Sequence, residues 1–162
     1  MKLHKIVFVL VLGMLAIWSC KDKKETVLKS RTELMAGASS KSWKITKAEA
    51  SITTDAKIDL VSTQQACITD NLLVFAVNGT YELREGASKC NAADPDLILS
   101  SNWSFTDNET KFKIDRIVFL GVELKDTVFE IVDLSENVFT GKTNIDYKGT
   151  KYQLVATFQA VK

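Results

Sequence analysis

The stretch "CITDNLLVFAVNGTYELREGASKC", Cys67 to Cys90, decides the fold. An Asn-Gly pair, Asn78-Gly79, separates an apolar run (Asn71–Val77) from an alternating one (Thr80–Glu85). Asn-Gly between such runs is a strong hairpin signal, because a two-residue type I′ turn needs positive φ at both central positions. In the second arm Tyr81 and Leu83 share a face opposite Glu82 and Arg84, the period of a half-buried strand. Counting outward from a two-residue turn sets Cys67 opposite Cys90. A three-residue turn would shift that register by one. Cross-strand neighbours lie ~4.5–5.5 Å apart at Cα, within disulfide reach.

The same period of two extends in both directions. "SWKITKAEA" (Ser42–Ala50) sets Trp43 and Ile45 against Lys44 and Thr46. "LILSSNWSF" (Leu97–Phe105) aligns Leu97, Leu99, Trp103 and Phe105, and "KFKID" (Lys111–Asp115) alternates Phe112 and Ile114 with lysines. "IVFLGVEL" (Ile117–Leu124) continues or follows it, with Gly121 at a bend or bulge. "TVFEIVDL" (Thr127–Leu134), "NVFTGKTNIDY" (Asn137–Tyr147) and "TKYQLVATFQAV" (Thr150–Val161) complete the set. In the last, Tyr152, Leu154, Ala156, Phe158 and Ala160 share one parity. About eight strands with turn signals at Asn78-Gly79, Asp107-Asn108, Ser135–Asn137 and Lys148-Gly149 predict an all-β barrel or sandwich. Consecutive short turns favour an eight-stranded up-and-down antiparallel barrel, since a Greek key needs longer returns. A β-sandwich is the alternative.

Before the first strand, "SRTELMAG" (Ser30–Gly37) predicts one short helix. Ser30 and Glu33 form a capping box, and Gly37 can end the helix in the left-handed conformation.

The N-terminus predicts the compartment. "MKLHK" is a basic opening, and Ile6–Trp18 is a 13-residue apolar run. That is too short to span a ~30 Å hydrocarbon core, which needs ~20 helical residues, but it suits a secretory leader. "IWSCKDKK" follows, and it resembles the bacterial lipobox, in which the cysteine is lipidated and becomes the mature N-terminus. The domains expected are a lipoprotein signal peptide (1–19), a lipidated tether (20–29) beginning at Cys20, and a barrel domain (30–162). The chain is expected to be exported and lipid-anchored to the bacterial cell envelope, at the outer membrane, on its periplasmic face or the cell surface.

Several function classes fall away. The net charge of +1 gives no sign of a nucleic-acid partner. The one histidine, His4, lies in the expected leader. Without it there is no Ser-His-Asp or Cys-His catalysis, no histidine-containing zinc site, and no metal or cofactor to expect. No phosphate-cradling glycine motif is present. The expectation is a protein that is not an enzyme.

"KSWKITKA" and "LVFAVNGTYEL…GASKC", with a short helix before an early Trp and a strand meander behind a lipobox, resemble the bacterial lipocalin-like lipoproteins. The resemblance covers about Arg31 to Lys162. It implies a lipocalin-like barrel whose closed end is plugged by Trp43. It also implies a small hydrophobic ligand, lined by the one-parity aromatics Tyr81, Trp103, Phe105, Phe112, Tyr152 and Phe158. The same residues equally suit a filled core, so the other reading is a structural or interaction lipoprotein whose partner is an envelope protein.

In an oxidising compartment Cys67 and Cys90 read as a disulfide. Two free thiols are one alternative. A redox pair is another, although that chemistry normally takes C-x-x-C. Alternating turns place Ser51–Thr69 and Glu85–Asp96 together at the barrel mouth, each carrying one cysteine. The disulfide would then pin a lid-like loop there.

Overall fold

The computed structural model describes residues 28–52 and 56–162. The expected leader, Cys20 and most of the expected tether lie outside the described residues. Helix α1 (Arg31–Ala36) opens on the capping box: Glu33 N donates to Ser30 Oγ at 3.1 Å, and Ser30 N donates to Glu33 Oε2 at 2.8 Å. Gly37 ends it at φ 66°, ψ −153°. The φ is positive as expected, but the residue lies outside the left-handed helical basin, in a region open essentially to glycine alone. Six residues cannot hold a helix unaided. Met35 and Ala36, both fully buried against the barrel, hold this one.

The strands are β1 (Ser40–Ser51), β2 (Lys57–Asp59), β3 (Leu72–Ala76), β4 (Thr80–Arg84) and β5 (Leu97–Thr106). They continue as β6 (Lys111–Phe119), β7 (Val122–Leu134), β8 (Val138–Tyr147) and β9 (Thr150–Ala160). A four-residue helix, α2 (Ala66–Thr69), precedes β3. Strands β1 and β3–β9 pair antiparallel in sequence, and β9 returns to β1 from Trp43↔Ala160 to Ser51↔Gln153. That last ladder closes an eight-stranded up-and-down barrel. A sandwich, which keeps free strand edges, is thereby excluded. The short β2 sits outside the count, pairing with the far half of β1 at Glu49–Ser51.

Closure is incomplete toward the mouth. Strand β5 joins β6 only from Trp103↔Ile114 to Thr106↔Lys111, and β7 joins β8 only from Glu130↔Lys142 to Leu134↔Phe139. Among the described residues, the β6–β7 hairpin beyond those pairs has ladder bonds only within itself. Single side-chain bonds cross each gap: Asn102 Nδ2 donates to Asp115 Oδ2 at 3.4 Å, and Thr143 Oγ1 donates to Val128 O at 2.8 Å.

Local details depart from the sequence expectations. The Asn78-Gly79 turn has three residues rather than two. Gly79 N donates to Ala76 O at 3.0 Å, Gly79 alone takes positive φ (85°), and Phe75 faces Tyr81 rather than Glu82. This is the three-residue loop with glycine at the left-handed position. Gly121 is neither a bend nor a bulge within a strand. With Leu120 (φ 47°) it makes the two-residue β6–β7 turn at φ 83°. "KFKID" and "IVF" are consequently one strand. Leu97 does not join the inward row. The register shifts between Leu83↔Leu99 and Arg84↔Leu97, which turns Leu97 outward to 41% exposure and leaves Ile98 half-buried. A similar shift between Ile45 and Lys47 lets Trp43, Ile45, Ala48 and Ala50 all face inward. Both are bulges, where one extra residue resets the alternation.

Candidate functional site

The closed end is built around Trp43, which is fully buried. Its Nε1 donates to Met35 O at 2.8 Å, tying α1 to β1. Lys41 Nζ lies 4.4 Å from the Trp43 ring centroid and donates to Leu34 O (2.8 Å) and Glu136 O (2.6 Å). One lysine thus satisfies two loose carbonyls and covers the indole face.

Above this plug the barrel is filled by rings. Phe75 packs against Tyr81 (5.2 Å between centroids) and Trp103 (5.4 Å). Phe112 stacks on Phe129 (4.9 Å, 7°), and Phe139 stacks on Phe158 (5.3 Å, 13°). A Cβ at Gly141 would come within 3.3 Å of Phe139 and 3.5 Å of both Phe112 and Phe129, so the missing side chain makes room for three rings. The void left among them is about 10 Å³, too small for a ligand and marginal for one water.

The space lies higher. A cavity of about 180 Å³ sits between the rings and the mouth. Phe119 and Phe158 border both it and the small void beneath. Its apolar walls come from Ile45, Leu73, Leu83, Ile98 and Val118. Ile68 of α2, Leu120 and both cysteines line it on the mouth side. Cys67 and Cys90 form a disulfide. It ties α2 to the β4–β5 loop, the two long connections expected to meet at the mouth. A second apolar hollow of about 240 Å³ lies at the rim, lined by Ala50, Ile58, Leu60, Val122, Tyr147 and Tyr152. The larger groove, about 610 Å³, is an open channel on the outer wall where β7 and β8 part. Its lining is mixed in charge, including Lys125, Lys142, Asp126 and Asp146.

The expected lining residues divide accordingly. Phe158 borders the cavity and Tyr152 the rim hollow. Tyr81, Trp103 and Phe112 belong to the packed rings below, and Phe105 lies half-buried against Trp103 at 5.2 Å. Trp103 Nε1 donates to Ala76 O at 3.0 Å. Tyr81 is fully buried and its hydroxyl finds no partner among the described residues. Burial pushes that phenol well above its ordinary pKa.

Among the described residues, polar side chains reach the cavity from the mouth side: Asn71, Glu85 and Asp94. Asn71 Oδ1 accepts from Gly86 N (3.2 Å), and Glu85 N donates to Asp96 O (2.9 Å). Asp70 Oδ2 accepts from Ser88 N (2.8 Å) and Ser88 Oγ (2.7 Å), while Asp70 Oδ1 is buried and unpaired. Glu85 Oε2 is likewise buried with no partner among the described residues. Burial, then repulsion from Asp94, Asp70 and Asp96, raises the Glu85 carboxyl above its ordinary value, against the pull of Lys89. Lys89 is engaged elsewhere, donating to Asp96 Oδ1 and Asp94 O, both at 2.7 Å.

Sequence reasoning missed most of this lining. Leu83 and Phe119 carried a strand period that could have placed them inside, whereas Leu73 lay in an apolar run without alternation. Ile98 was hidden by its bulge, and nothing in the sequence marks Glu85 apart from other loop carboxylates.

The sequence matches no family model and no curated protein. Solved structures similar to the chain include bovine odorant binding protein in complex with undecanal, at 17% identity over 86% of this chain and 78% of that one, TM-score 0.44. The bovine protein with a selenium-containing odorant gives 18% identity over the same shares, TM-score 0.43. Its deswapped triple mutant gives 16% over 80% and 74%, TM-score 0.39.

Proposed function

We propose that this chain is a barrel that binds a small apolar molecule, held at a bacterial cell envelope by lipid on Cys20. The observation that carries the binding reading is the apolar cavity of about 180 Å³ beneath the disulfide-linked loops. Drug-sized ligands take pockets of ~300–1,000 Å³. A dry apolar cavity of ~150 Å³ holds a molecule the size of benzene. The occupant is therefore a single ring or a short chain, not a fatty acid or a sterol. The anchoring reading rests on the basic opening, the short apolar run and the cysteine that ends it.

A second reading is favoured by one observation: the lower barrel is filled, leaving only about 10 Å³. That is the interior of a scaffold, and it supports a structural or interaction role at the envelope.

Native mass spectrometry of the chain released from its envelope separates the two. A retained adduct of one small molecule supports binding. A bare mass, together with no heat released on titrating toluene, supports the scaffold. For the anchor, metabolic labelling with a radioactive fatty acid should mark the wild type and not Cys20→Ala.

A further inference from the structure

We infer that the molecule held in this cavity is a small apolar amine, its ammonium paired with Glu85. This rests on the small-ligand reading above and names the chemical class it takes. The cavity is asymmetric. Most of its lining is hydrocarbon, including Ile45, Leu73, Leu83, Ile98 and Phe158, and among the described residues the polar side chains come from the mouth side: Asn71, Glu85 and Asp94. Two of the three, Glu85 and Asp94, are carboxylates, and the third is the Asn71 carboxamide. The Asn71 carbonyl is already used by Gly86 N. Glu85 Oε2 is closed off from water and has no partner among the described residues.

Buried polar atoms are nearly always satisfied, and an unpaired carboxylate oxygen is among the costlier exceptions. Burial and three neighbouring carboxylates push the Glu85 carboxyl up, which is the price of leaving it alone. Lys89 does not line the cavity, and it is tied to Asp96 and Asp94. Across α2, Asp70 and the β4–β5 loop, Asp70, Glu85, Asp94 and Asp96 face one lysine, Lys89. That field attracts a cation and repels an anion. A ligand ammonium supplies a charge-assisted donor to the Glu85 carboxylate, which borders the cavity, while its apolar body fills the hydrocarbon end. A carboxylic acid of the same size would bring a fifth negative charge to the same place.

The test uses four probes of one shape: benzylammonium, benzyl alcohol, toluene and phenylacetate, each titrated into the full chain near neutral pH by calorimetry. Benzylammonium should bind at least about tenfold tighter than benzyl alcohol, the factor a charge-assisted hydrogen bond commonly gives, with phenylacetate weakest. Glu85→Gln should erase that preference and leave toluene affinity within about twofold. If toluene or benzyl alcohol binds as tightly as benzylammonium, the amine inference is overturned and the small-ligand reading stands. The amine inference is overturned in the same way if Glu85→Gln keeps the preference. If none of the four binds, both are overturned.

Discussion

Cys67 and Cys90 stand 5.1 Å apart at Cα although neither lies on a strand. The β3–β4 ladder ends at Leu72↔Arg84, and its register, carried on, would set Cys67 opposite Lys89. The pair forms instead because α2 folds back over the mouth to meet the β4–β5 loop. Gly86 makes the approach possible: a Cβ there would collide with the Asp70 backbone oxygen.

Removing the disulfide should be felt in stability. By the chain-entropy argument, a crosslink across a separation of 23 residues contributes roughly 3 kcal/mol. Cys67→Ser with Cys90→Ser should lower the unfolding free energy measured in urea by that order, seen as a lower midpoint, with the m-value somewhat raised because the uncrosslinked unfolded chain exposes more surface. An unchanged midpoint would mean that the loops hold each other without the crosslink.

Gly86→Ala tests the same corner without touching sulfur. Overpacking against backbone costs about 1–3 kcal/mol. The loss should appear in thermal melts of the oxidised protein. A melt equal to wild type would show that the loop yields freely.

Trp43→Phe keeps a ring in the plug and deletes the bond to Met35 O. Leaving that carbonyl buried and unpaired costs about 1–3 kcal/mol. Because α1 is short and rests on this contact, amide exchange in Leu34–Gly37 should accelerate more than exchange in β9. Uniform acceleration would assign the loss to the barrel as a whole.

Glu85→Gln should change the pH profile of stability in a defined sense. The folded carboxyl titrates above its ordinary value of 4.5. Between the two values the native state holds more protons than the unfolded one, so wild-type stability falls as pH rises through that window. Below the window both forms are protonated and the penalty is absent. The glutamine variant should therefore melt higher than wild type at neutral pH, and the gap should close on acidification below about pH 4. A gap that is constant with pH would remove Glu85 as its source.

Phe158 separates the cavity from the small void beneath it. Phe158→Leu should cost about 1–2 kcal/mol, less than the ~3–5 of a truncation to alanine. It should also join the two spaces. Binding of naphthalene relative to toluene should then rise. No change in that ratio would show that the rings close over the gap.

The strands were legible wherever alternation was strict, as in Tyr81–Leu83 and Leu154–Phe158. They were misread where one inserted residue reset the alternation. Ile98 took the inward place expected of Leu97, and a loop of three residues replaced the two-residue turn at Asn78-Gly79. The cysteine pair was named correctly through a register the structure does not have, because the two long connections meet at the same end in either register. Aromatic parity identified the inward face but not the height along it. Phe112 and Phe158 point the same way, yet only Phe158 reaches the cavity, because depth depends on strand stagger and on which rings stack. Glu85 was illegible, since its character comes from loop packing that no local pattern records.

The partial ladders on either side of the β6–β7 hairpin have a mechanical consequence. A barrel resists dilation because every stave is bound to both of its neighbours. Here, among the described residues, two adjacent staves have main-chain ladders near the mouth only with each other. Swinging them outward breaks the two side-chain bonds from Asn102 and Thr143 and unzips no main-chain ladder. Phe119 and Leu120 travel with them, and both line the cavity. The circumference of the rim is therefore held by ladders less firmly along one arc than along the rest, and that arc is the one that stands over the apolar cavity.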